Sequence, residues 1–135
     1  MMLSLLVLAT ASAAATDFVL VVNASVPDVA VSARVLRRMV SKQDCCWSDG
    51  LEVAVVLPPN EDDAMVWFTD TFTGLEPDVF RRYLMERCYR LGCTPLVGVP
   101  DLSAAHAVTA RTPGAITVAR VGEIPVGLRE LEIIP

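Results

Sequence analysis

Lysine and histidine are scarce in this chain, with one of each, and both scarcities bear on function. Of eleven basic residues only Lys42 is a lysine; the rest are arginines, set against sixteen Asp and Glu for a net charge of −5. Duplex nucleic acid is gripped by clusters of basic side chains that neutralise phosphates, so nucleic acid is not an expected partner. The runs Arg34/Arg37/Arg38 and Arg81/Arg82/Arg87/Arg90 fall inside amphipathic patterns and read as solvated helix faces. The single histidine, His106, sits in an Ala/Val-rich stretch with no nucleophile-elbow motif to serve. P-loop, Rossmann, metalloprotease and C-x-x-C patterns are all missing. No catalytic residue, metal site or cofactor is therefore expected, and the chain reads as a non-enzyme.

A long hydrophobic run is also lacking. Leu3 to Ala9 is apolar but far short of the ~20 residues that span a bilayer. Small residues follow it in Ala11-Ser12-Ala13 and Ala13-Ala14-Ala15, the pattern of a signal peptide with its cleavage site. Residues 1–15 are thus expected to be a leader, and 16–135 one exported domain, too short for two cores. Hydrophobic residues at 53% and charged residues at 20% fit a folded domain.

Export gives the four cysteines a role. In an oxidising compartment they can form up to two disulfides, in any of three connectivities. Cys88 and Cys93 are the best-placed pair, because Gly92 lets the chain reverse between them. A bridge between the adjacent Cys45 and Cys46 would close a small strained ring, so pairing of that loop with Cys88 or Cys93 competes with it. Buried free thiols are the remaining alternative. Zinc is disfavoured, since Cys45 and Cys46 lack the two to four residues that separate paired thiolate ligands.

The rest of the chain alternates strands and helices. Asp17 to Asn23 is a continuous apolar run, as in a strand buried on both faces. Ala24 to Asp28 is loop, and Ser32 caps a helix with Val35, Leu36, Met39 and Val40 on its apolar side. Ser41 to Gly50 is a polar loop, and Leu51 to Leu57 a second strand. After Pro58-Pro59, Ala64, Met65, Phe68 and Phe72 keep helical spacing up to Gly74. Pro77 starts another helix, with Glu86 and Arg90 as an i,i+4 pair, that stops at Gly92. Leu96 to Val99 is a short strand, Asp101 to Ala110 a helix, and Ala115 to Val121 a strand. Leu128 to Ile134 is a last, edge strand. The pattern is that of an α/β layered domain.

The order of segments also carries a resemblance. A strand VLVVN, a helix ending at Ser41-Lys42, then Trp47 and Ser48-Asp49-Gly50 come first. A turn at Asn60 to Asp63 opening a helix with Phe68 and Phe72 follows, then Pro113-Gly114-Ala115-Ile116. This resembles the substrate-binding components of phosphate ABC transporters in their short single-lobe form. The resemblance covers Asp17 to about Val121. It implies one α/β lobe of the type II periplasmic-binding-protein class, with a mixed sheet of about four to five strands flanked by helices. It further implies a periplasmic location and a phosphate-like oxyanion as ancestral ligand, held by hydroxyls, backbone N–H groups at helix starts and an arginine. The positions offered for that ligand are Asn23, Ser25, Asn60 and Arg111.

The sequence departs from the family at the second turn. Small hydroxyl residues and glycine are replaced by Asn60-Glu61-Asp62-Asp63, the expected arginine by Met65 or Val66, and the late Gly-Tyr by Thr117-Val118. At ~5 Å each carboxylate repels a monoanion by about 0.8 kcal/mol in water, and more where solvent is excluded. Carboxylates at a helix start have their own reason to be there, through the dipole. The expected function is thus a non-catalytic solute-binding-like domain with a degenerate oxyanion site. The competing reading is a periplasmic interaction or scaffold module whose partner is a protein, because one lobe has no cleft to close; a homodimer would rebuild one. Export predicts that protein from a native host begins at Ala14 or Thr16 by intact mass. A mature chain starting at Met1 would remove the compartment argument.

Overall fold

The computed structural model describes residues 17–93 and 97–135, so the leader and its cleavage site lie outside the described residues. Two strands sit at the centre of a five-stranded mixed sheet: β1 (Phe18–Asn23) and β5 (Ala115–Arg120). They pair antiparallel, Phe18 opposite Arg120 through Val22 opposite Ile116. Beyond β5 lie β3 (Ala54–Leu57) and β4 (Val97–Gly98), both in parallel register. Beyond β1 lies the antiparallel β6 (Leu128–Glu130). The chain is therefore a mixed α/β layer, as the apolar runs and the resemblance imply.

Strand alternation sorts side chains between two layers. Phe18, Leu20 and Val22 of β1, Val55 and Leu57 of β3, and Ile116 and Val118 of β5 face one way. There they meet Leu36, Met39 and Val40 of α1 (Ala33–Val40), Met65, Phe68 and Phe72 of α2 (Asp63–Phe72), and Phe80 and Leu84 of α3 (Pro77–Leu91). The aromatic rings interlock, with Phe68 5.5 Å from Phe72 and 5.9 Å from Phe80 between centroids. Val56 and Ala115 face the other way, where Ala105 of α4 (Leu102–Arg111) covers them. Small residues on that side allow α4 to lie close to the sheet.

Each helix starts and stops where its sequence says. Ser32 accepts from Val35 N, Asp62 from Ala64 N and Asp101 from Ala104 N, and Gly92 ends α3 in the left-handed region. The ends of the sheet differ from expectation. The single last strand is broken at Leu131, which turns into the core at 2% exposure. Its second half, β7 (Glu132–Ile134), pairs in parallel with β2 (Ala30–Ser32), a three-residue strand directly ahead of α1. Nothing of three residues carries a period, and β2 falls between the loop expected at Ala24 to Asp28 and the cap at Ser32. The strand from Leu51 also begins later, at Ala54, after a single bridge between Cys46 and Glu52. On α3 the i,i+4 ion pair is Asp78 with Arg82, at 3.7 Å and well exposed, rather than Glu86 with Arg90; such pairs contribute little.

The loop between α1 and β3 is fastened to the sheet at one residue. Gly114 accepts from Trp47 Nε1 (2.9 Å) and from Ala54 N (3.2 Å), and its own N–H donates to Ser25 Oγ (2.9 Å). Its φ is +75°, and a Cβ there would stand 2.2 Å from the Glu52 carbonyl oxygen. Gly114→Ala is expected to lower stability by about 3 kcal/mol or more, since strain and backbone overlap add. Urea unfolding measures it, and a loss below about 1 kcal/mol would contradict the close approach.

Candidate functional site

The positions offered for an oxyanion do not form one site. Because β1 runs antiparallel to β5 and β3 runs parallel to it, the C-terminal ends of β1 and β3 point to opposite ends of the sheet. Val22 and Val55 both sit level with Ile116, so Asn23 lies one residue to one side and Leu57 two to the other. At ~3.3 Å per residue that is on the order of 10 Å before the Pro58–Asn60 turn adds to it. Asn23, Ser25 and the end of α4 share one end; Asn60 and the start of α2 share the other.

At the first end the polar groups are engaged internally. Asn23 Nδ2 donates to the carbonyls of Thr109 and Ala110 at 2.8 and 3.0 Å, and its Oδ1 accepts from Ser25 N at 2.9 Å. Ser25 Oγ holds Gly114 N. Asn23 thereby caps the C-terminus of α4, where the dipole is negative and an anion is disfavoured. Arg111, the last residue of α4, is exposed and complements that same dipole.

At the second end an arginine is present, from an unexpected element. Arg81 of α3, read from sequence as part of a solvated face, is half-buried and reaches across to the turn. Its Nε donates to Asn60 Oδ1 and its Nη2 to the Pro58 carbonyl. Burial pulls its pKa below the ordinary arginine range, and the Glu61 carboxylate opposes that shift. The signal was its place beside Phe80 and three residues before Leu84, both fully buried, which puts it on the edge of the apolar face.

Three donors at the start of α2, the N–H groups of Ala64, Met65 and Val66, are answered by the turn itself. Asp62 Oδ1 accepts from Ala64 N at 2.9 Å, and the Asp62 carbonyl accepts from Met65 N and Val66 N at 3.0 and 3.1 Å. Exposed Glu61 and Asp63 flank it. The turn has one cation, already bound to neutral acceptors, and three carboxylates. At Thr117, one of the two positions where the sequence departs from the late Gly-Tyr, Oγ1 is buried with no hydrogen-bond partner.

Other candidate groups are structural. His106 Nε2 lies 2.8 Å from the Val118 carbonyl. Cys88 is joined to Cys93, with Cα atoms 4.5 Å apart. Cys45 is joined to Cys46, so the Cys45–Cys46 loop is not cross-linked to α3 as the competing arrangement had it. The pair sits in a local hairpin: Val53 N bonds the Cys45 carbonyl and Cys46 bridges Glu52. Among the described residues no cluster could hold a metal ion, and no helix is long and apolar enough to cross a membrane.

With this geometry the chain can be set beside known proteins. No family model and no curated protein matches the sequence. Solved structures do match. An ABC-type phosphate transport receptor from Vibrio cholerae aligns at TM-score 0.57 and 14% identity over 87% of this chain and 46% of that one. A putative phosphate ABC transporter substrate-binding protein with bound phosphate, from Clostridium perfringens, aligns at 0.60 and 7% over 87% and 44%. PstS from Borrelia burgdorferi aligns at 0.62 and 12% over 87% and 47%. The chain shares its fold with these phosphate receptors. It spans less than half the length of each, and identities this low speak for the fold alone.

The Ser41-Lys42 pair that entered the resemblance is also structural. Lys42 holds a left-handed φ of 61°, is buried, and donates from Nζ to the Val53 carbonyl at 2.7 Å. Burial pulls its pKa below the ordinary 10.5, with Glu52 opposing. Between that lowered value and 10.5 the unfolded chain binds more protons than the folded one, so stability from this group rises with pH. Relative to Lys42→Met, the native protein should gain stability as pH climbs through the alkaline range below 10.5. A difference in urea midpoint that stays flat with pH would contradict the buried charge.

Proposed function

We propose that this chain is an exported, non-catalytic solute-binding-protein-like domain that does not work as a phosphate receptor. One observation carries the reading. The turn that would meet an oxyanion is closed by its own side chains: Arg81 is held by Asn60 and Pro58, and Asp62 caps α2 between Glu61 and Asp63. Micromolar binding needs about −8 kcal/mol, which a turn with three of its donors occupied and added like charge does not supply. The fold is kept while the ligand chemistry is lost. Two disulfides fit the oxidising compartment that export implies, a periplasmic one.

A protein-interaction role in that compartment is the second reading. It is supported by α3, whose outer side exposes Met85 and Tyr89, one turn apart, at 64% and 91%. Apolar side chains grouped on one outward helix face are typical of contact surfaces.

Calorimetry with inorganic phosphate at low ionic strength tests the main reading. The native protein should give no binding heat at micromolar phosphate. Replacing the trio (Glu61→Ser, Asp62→Gly, Asp63→Thr) should yield weak, salt-sensitive binding, because three charges leave and the Ala64 N–H is freed. Adding Arg81→Gln should abolish that gain. Micromolar binding by the unmodified chain would overturn the reading and restore a receptor function.

A further inference from the structure

We propose that the Cys45–Cys46 disulfide is a site of reversible thiol–disulfide exchange, opened by thiol reductants and reclosed by disulfide oxidants while Cys88–Cys93 stays bridged and the fold holds. The two bridges differ in what they join, in what depends on them and in how a reagent reaches them. The Cys45–Cys46 pair lies ahead of β3, whereas Asn60 lies beyond its other end, so the state of the pair is independent of that turn.

Little in the fold depends on the Cys45–Cys46 bond. A disulfide stabilises chiefly by closing a loop in the unfolded chain, and the effect shrinks with the length of that loop. Between sequence neighbours the loop is a single peptide unit, so almost no chain entropy is removed. The backbone around the pair is held by other means. Ahead of it, Gln43 N and Asp44 N donate to the Arg38 carbonyl at 2.8 and 3.1 Å, and the Asp44 carboxylate accepts from the Arg38 guanidinium. At the pair, Val53 N bonds the Cys45 carbonyl at 2.9 Å. Beyond it, Trp47 N donates to the Leu51 carbonyl at 2.8 Å, and the Trp47 indole to Gly114. None of these bonds passes through a sulfur. They keep the two thiols side by side after the bridge opens.

Access separates the two bridges further. Exchange begins when a thiolate attacks a disulfide sulfur, so it follows exposure. Cys45 is exposed and Cys46 half-buried on a polar surface loop. Cys88 is 2% exposed on α3, and Cys93, half-buried, is tied back to it by a backbone bond of 3.1 Å. An incoming thiolate therefore meets Cys45 first. Its sulfur bonds to Cys45 Sγ as the S–S bond breaks, and Cys46 leaves with the electron pair and takes up a proton. A second thiolate then attacks the reagent sulfur of this mixed disulfide and releases Cys45, which is protonated in turn. Two reagent thiols become one disulfide, and both cysteines are reduced. In the reverse direction Cys46 is the resolving thiol beside an accessible Cys45, the arrangement found in redox-responsive pairs.

The test equilibrates the full chain in glutathione buffers of rising reducing strength, followed by acid quench, alkylation and peptide mapping. Cys45 and Cys46 should become alkylatable at a [GSH]²/[GSSG] at least about tenfold lower than Cys88 and Cys93. Circular dichroism should stay native in that window, and oxidised glutathione should restore the bridge within one chain. Cys45→Ser with Cys46→Ser should lower the urea midpoint less than Cys88→Ser with Cys93→Ser. The proposal is overturned if Cys88–Cys93 opens first or together with Cys45–Cys46, or if neither bridge yields to glutathione. It is equally overturned if opening Cys45–Cys46 unfolds the chain, if reoxidation links two chains, or if its double variant loses as much stability as the other.

Discussion

One peptide unit, at Gly114, joins three parts of the chain that are far apart in sequence. Its carbonyl takes the Trp47 indole and the Ala54 amide, and its N–H goes to Ser25. Trp47 is 3% exposed, so its indole N–H must find an acceptor inside the protein, and the Gly114 carbonyl is that acceptor. Only a residue without Cβ can come this close to the Glu52 backbone with φ at +75°. The β3–β5 pairing starts one residue later, at Ala54 with Ala115, so the register of the sheet is set beside this joint.

The same joint explains how a resemblance to phosphate receptors can rest on residues that hold the fold together. Lys42, Trp47 and Gly114 lie in the segments that carry the resemblance, and each satisfies backbone groups rather than facing a ligand. Such residues constrain how a sheet closes, not what it binds. Asn60 to Asp63 take no part in that joint, their bonds staying within the turn, α2 and Arg81, and there the sequence departs. Fold and ligand chemistry rest on different residues and can separate.

Most of the fold was legible because its elements are long enough to show a period or carry a cap. The buried strand at Phe18 to Asn23, the capped helices and the Gly92 stop are of this kind. What could not be read depended on pairing across the chain. β2 exists because β7 lies beside it, and the break at Leu131 exists because the core takes that side chain. The site was less legible than the fold. Asn23 and Asn60 look alike as strand-end polar residues, yet the antiparallel entry of β1 sends them to opposite ends of the sheet. Nothing local in the sequence encodes that direction. Arg81 was hidden for the reverse reason, since a long side chain at the edge of an apolar face can bury its stem and still deliver its charge to a neighbouring turn.

The distribution of charge then follows from two demands that helices make. Carboxylates gather at the start of α2 and arginines in the last turn of α1, as the dipole favours at each end. The outcomes differ because of what else is near. At α2 the Asp62 carboxylate meets the helix's own N–H, so the favourable interaction is completed inside the protein and the anion position is filled. At α1 the helix carbonyls are already taken, with Arg37 O accepting from Ser41 N and Ser41 Oγ, so the arginine heads have no backbone acceptor to turn back to. Only Arg38 finds a carboxylate, and it does so through the Ser41–Asp44 loop that α1 runs into. Arg37, beside it in the same last turn, has no carboxylate partner among the described residues. The two helix ends thus differ in whether the charge that the dipole favours there finds its partner within the helix's own first turn or in the loop that follows it.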